Sequence, residues 1–114
     1  MDLDNAIREF SPINEDWRPL ESLFEAAFSS EDPRAYYHAI FNLYERFPDD
    51  DGAGVFWSAL HGMERVGEYE ASLLAYFRRW PSLMTRAMLQ RVQNSGRDSI
   101  EGVLISSLGI TPRQ

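Results

Sequence analysis

Two histidines, His38 and His61, are the side chains of this 114-residue sequence whose ordinary titration lies near neutral pH. His61 stands three residues before Glu64, a spacing that puts both on one side of a helix and could support proton transfer. A helical metal site would need Glu-x-x-His or His-Glu-x-x-His, and neither occurs. The sequence has no cysteine, which excludes thiolate nucleophiles, disulfides and cysteine-held zinc. All eleven basic residues are arginine, so Schiff-base and lysine-base chemistry are excluded as well. Gly52 and Gly54 follow no strand and precede no Lys-Ser/Thr pair, so they do not form a phosphate loop. No serine occupies a Gly-x-Ser-x-Gly elbow. The acidic turn Asp49-Asp50-Asp51-Gly52 fails as a calcium loop, because Phe47 would fill an oxygen-ligand position and Glu64 lies a helix away. The expectation is a protein without catalytic residues, metal or cofactor.

Charge and composition narrow the partners. Hydrophobic residues make up 44% and aromatics 13%, enough for a packed core despite a mean hydropathy of -0.39. The net charge is -7 and the pI about 4.7, which repels nucleic acid and anionic lipid and favours basic proteins. A surface of that charge would also serve solubility alone. The sequence opens with no basic segment followed by an apolar run, and no apolar stretch nears the roughly 18 residues that span a bilayer. A cytoplasmic protein, monomer or weak homodimer, is expected.

The elements that must position any site are helical. Leu20, Leu23, Phe24, Ala27 and Phe28 recur at i, i+3, i+4, i+7 and i+8 behind Pro19. Asp32-Pro33 reads as an N-cap and first helical residue, and Tyr36, Tyr37, Ile40, Leu43, Tyr44 and Phe47 carry that helix to Pro48. The aspartates at 49–51 are expected to cap a third helix on Val55, Phe56, Ala59, Leu60 and Met63, ended by Gly67. A fourth runs from about Tyr69 to Trp80, and a fifth from Pro81-Ser82 to Asn94-Ser95-Gly96. A shorter sixth is expected over 99–108, and a turn of helix over 6–10. The whole reads as one all-α domain of five to six helices over 1–114, with 1–15 and 109–114 expected to fray.

An internal repeat refines this. IFNLYERFP at 40–48 aligns with LLAYFRRWP at 73–81, 33 residues on, with apolar positions matched and each run closing on Arg-aromatic-Pro. An offset of that size is what a helix–turn–helix repeat gives. The expected fold is therefore a stack of antiparallel helix pairs in the style of HEAT-like arrays, or else a compact helical bundle.

The candidate binding surface is acidic with an aromatic anchor: Asp49, Asp50, Asp51, Glu64, Glu68 and Glu70, with Trp57 lying off the centre of its helix's apolar stripe. Glu64 and Glu68 are four apart and are expected to share a helix side. The block FPDDDGAGVFWSALHGME at 47–64, with RWPS at 79–82 and LQRVQNSG at 89–96, resembles small bacterial immunity proteins of polymorphic toxin systems. The resemblance spans roughly residues 35 to 96. It implies a cytoplasmic protein that binds a cognate toxin domain, in many cases a nuclease with a basic cleft, and covers its active site or a nearby surface. The alternative is a non-enzymatic helical scaffold whose apolar groove takes a peptide or protein helix.

Overall fold

Apolar residues at helical spacing set the architecture of the computed structural model, which describes residues 2–110. Six α-helices follow in order: α1 (Leu3–Arg8), α2 (Arg18–Phe28), α3 (Tyr37–Arg46), α4 (Val55–Val66), α5 (Glu70–Arg79) and α6 (Leu83–Asn94). A small antiparallel hairpin, β1 (Ser99–Ile100) and β2 (Val103–Leu104), closes the described chain with a 3-10 turn at Ile105–Leu108. Helices α1, α3 and α5 lie side by side in one layer, and α2, α4 and α6 in the other. The core between the layers is built from Ile7, Phe24, Ile40, Tyr44, Leu60 and Leu73, all but inaccessible to solvent. The Tyr44 hydroxyl, buried there, donates to the Phe56 carbonyl at 3.0 Å.

The 33-residue repeat is visible in the helices themselves. Both α3 and α5 have ten residues, their ends are 33 apart, and each closes with a cap N–H bonded four residues back, Phe47 to Leu43 and Trp80 to Tyr76. Their neighbours α4 and α6 have twelve residues each. The members of a row run parallel: Phe41 stacks on Tyr76 with ring centres 5.3 Å apart, and one turn further Glu45 meets Arg79. The second row repeats this with Glu64 and Arg91. At the α2–α4 contact, Gly62 lies so close to the Phe28 ring that a Cβ would stand 2.7 Å from it.

Several local expectations change. The segment 99–108 is not a helix. Glu101 and Gly102 have φ of 49° and 77°, the left-handed pair that a two-residue hairpin turn requires, and Gly102 adopts it without strain. Ile100 and Ile105 are buried while Leu104 is 59% exposed, so the apolar spacing there had imitated a helix. At the other end a helix does form, over Leu3–Arg8 rather than 6–10, with the Asp2 carboxylate accepting from the Asn5 N–H. Ile7 of this helix is buried in the core, while Ile13 further on is 78% exposed. Ile110 is also buried; the rest of the expected frayed tail, 111–114, lies outside the described residues. The helix expected from Pro33 begins as a 3-10 turn (Pro33–Tyr36) and becomes α-helical at Tyr37; the Asp32 side chain does not cap it. Gly67, with φ of 89°, ends α4 as expected. Ser82 and Thr85 form a reciprocal capping box on α6.

Trp17, the residue before α2, wedges the first two helix pairs together. Its ring meets Phe47 and Phe56 edge-on, with centres 5.1 and 5.2 Å away, and lies 6.0 Å from Phe10. Trp17→Ala is expected to cost about 3–5 kcal/mol by opening a cavity at this junction. A urea-unfolding midpoint within error of the wild type would contradict it.

Candidate functional site

The seven residues expected to form one surface are spread along α4 and beyond both its ends. Asp49, Asp50 and Asp51 lie in the α3–α4 loop, Glu68 follows α4, and twelve helical residues separate them, about 18 Å at 1.5 Å per residue. Glu64 and Glu68 do not share a helix side, because α4 ends at Val66 and Glu68 has left the helix with φ of 58°. Glycine at 67 breaks the register that spacing alone implied.

The glutamates are also neutralised within the chain. Arg91 grips Glu64 with both arms, Nε to Oε2 at 2.7 Å and Nη2 to Oε1 at 2.9 Å. Arg34 pairs with Glu68, and Arg97 with Glu70 at 3.2 Å. The Arg91 hydrogen bonds hold the Glu64 carboxyl below the usual range. His61 Nδ1 is 3.7 Å from Glu64, whose carboxylate is a weakened base so long as Arg91 holds it. Among the described residues no three His, Asp or Glu side chains come together as a metal site.

The aspartates behave differently. Asp50 accepts from the Gly52 N–H at 2.9 Å, a side-chain turn, and the Asp51 main-chain carbonyl accepts from Gly54 and Phe56. The N-cap of α4 is Gly54, so no aspartate side chain caps that helix. Asp49 and Asp50 are exposed, and no arginine reaches within 4 Å of 49–51 among the described residues.

The unpaired acidic surface keeps Asp49 and Asp50 of the expected residues and adds others, whose signal was present in the sequence as charge asymmetry. Residues 1–54 hold 13 of the 18 carboxylates but only 4 of the 11 arginines. Because the helix pairs stack in chain order, that asymmetry becomes spatial. Glu9, Glu15, Glu21, Glu25 and Glu31 have no arginine within 4 Å among the described residues. Glu9 and Glu15 belong to the α1–α2 loop, which abuts the α3–α4 loop: a Cβ on Gly52 would lie 3.2 Å from the Trp17 ring. The two loops therefore join Glu9, Glu15, Asp49 and Asp50 in one acidic edge. The α5–α6 loop continues that edge, since the Leu83 N–H donates to the Pro48 carbonyl at 2.6 Å.

The tryptophans differ in exposure. Trp57 is half-buried against the core, with its ring 6.1 Å from His61. Trp80, at the end of α5, is 58% exposed. It borders a groove of about 500 Å³ with Glu45, Arg46, Pro48 and Arg79, and Leu83 beyond it is 41% exposed. The 33-residue alignment had matched Trp80 to Phe47 without distinguishing the covered ring from the bare one. No helix among the described residues is long and apolar enough to cross a membrane. No family model matches the chain, and no curated protein or solved structure matches it either.

The Glu64–Arg91 pair has a signed pH dependence. A carboxyl held lower in the folded state stabilises it fully above the unfolded value near ~4.3, and that contribution is lost as pH falls through the folded value. Glu64→Gln is expected to lower stability at neutral pH by about 0.5–1 kcal/mol, small because the pair is partly exposed. Near pH ~2 the variant and wild type should unfold alike. Urea titrations at the two pH values check this; an equal loss at both would assign the effect to packing.

Proposed function

We propose that this chain is a protein-binding domain, an immunity protein that neutralises a cognate bacterial toxin domain by laying its acidic loop edge over a basic surface of the toxin. The observation that supports this is the division of the carboxylates. Glu64, Glu68 and Glu70 are neutralised by arginines of the same chain, whereas Glu9, Glu15, Asp49 and Asp50 stand unpaired along one edge. A field left uncancelled on one edge steers a basic partner toward that edge and accelerates encounter. The loops that carry it are fixed from below by Trp17 and the Asp50 turn, so little conformational freedom is lost on binding. A nuclease cleft, built to hold phosphates, is one basic surface such an edge would fit.

The test needs the partner. The tagged chain is used to recover bound protein from its host, and the recovered toxin domain is expressed alone and titrated with wild type and with Glu15→Arg/Asp49→Arg. The wild type should abolish toxicity. The double variant should associate about tenfold more slowly at low salt, with a shallower salt dependence. Glu68→Gln, at the other end of the helices, should leave the on-rate unchanged. Equal on-rates for wild type and the double variant would remove the acidic edge from the interface, and a recovered partner without toxic activity would remove the immunity role.

A further inference from the structure

The stack contains the same junction twice, filled once. At the first, the ends of α1 and α3 are joined by Arg46, whose Nη1 and Nη2 donate to the Phe10 and Ile7 carbonyls at 2.9 and 3.2 Å. Trp17 packs at that junction, edge-on to Phe47. At the second, the ends of α3 and α5 are joined by Arg79, which grips Glu45 with Nε at 3.0 Å and Nη2 at 2.7 Å. Trp80 takes the position of Phe47. The residue in the position of Trp17, immediately before the pair's second helix, is Gly54, and no atom lies within 4 Å of where its Cβ would be. The groove of about 500 Å³ lies at this second junction. That volume is within the ~300–1,000 Å³ of pockets that take small organic groups.

We infer that the Trp80 groove is a docking site for an aromatic side chain of a partner polypeptide, which packs against Trp80 as Trp17 packs against Phe47. The first junction supplies the template: a planar ring, presented by a turn, meeting an aromatic edge-on above an arginine-bridged pair of helix ends. Charge selects the residues beside that ring. Arg79 is neutralised by Glu45, but Arg78, the residue before it, is exposed with no ion pair among the described residues. An acidic residue next to the aromatic is therefore favoured over a basic one. The inference rests on the chain's binding protein, and not on the partner's being a toxin or on the acidic edge.

The test is selection from a random linear peptide display library on the full chain. Affinities of the enriched peptides are then measured for wild type, Trp80→Ala and Trp80→Phe. Enriched peptides should carry an aromatic residue beside Asp or Glu. Their affinity should fall at least tenfold in Trp80→Ala and be largely kept in Trp80→Phe. The thermal midpoint of Trp80→Ala should stay within error of the wild type, since the ring is mostly in solvent, which separates lost docking from lost folding. Peptides without aromatics, peptides that bind Trp80→Ala equally well, or no enrichment at all would overturn the assignment. So would concentration-dependent self-association abolished by Trp80→Ala, which would give the groove to a second copy through an apolar side chain such as Ile13, 78% exposed in the α1–α2 loop.

Discussion

Each helix pair is seated on its predecessor by an arginine at the last position of its first helix. Arg46 reaches back to two carbonyls at the end of α1, and Arg79 reaches back to Glu45 at the end of α3. Partial burial lowers the Arg46 pKa, yet guanidinium remains a cation, and its partners are carbonyls at the negative end of a helix. A charge placed there must be met by those groups, which fixes how far α3 can slide along α1. The aromatic that follows is then delivered to the junction, and the proline after it ends the helix. Register, packing and the position of every loop at that edge follow from this contact.

The same arginines decide where the surface is charged. The second half of the chain holds 7 of the 11, and three of them, Arg79, Arg91 and Arg97, pair with Glu45, Glu64 and Glu70. Those pairs neutralise three carboxylates and leave Arg78, beside Trp80, without an ion pair among the described residues. The first half, short of arginine, cannot cancel its own carboxylates. A polar axis therefore runs along the stack, acidic at α1–α2 and cationic around Trp80. Binding by the loop edge would read both ends of that axis at once.

The fold was legible because amphipathic helices announce themselves by period, and because Arg-aromatic-Pro at 46–48 and 79–81 marks two equivalent ends. The hairpin at 99–104 was not legible by period. Its strands are two residues each, and Ile100, Val103 and Leu104 fall at helical intervals as well as at strand ones. The site was legible only in part. Asp49 and Asp50 lie exposed as their turn chemistry suggests. Glu64, Glu68 and Glu70 read as a cluster because pairing with arginines 27 and 34 positions away leaves no local trace. Trp57 and Trp80 differ in exposure through what packs beside them, which spacing does not encode.

The edge of the stack that carries the loops at 9–17, 47–54 and 80–82 is the face we propose meets protein. Hydrogen exchange of the main-chain amides, with and without the bound partner, reads that face directly. Exchange should slow in those three loops and stay unchanged at 29–36 and 67–69. Protection confined to 29–36 and 67–69 would place the interface at the other end of the helices and contradict it.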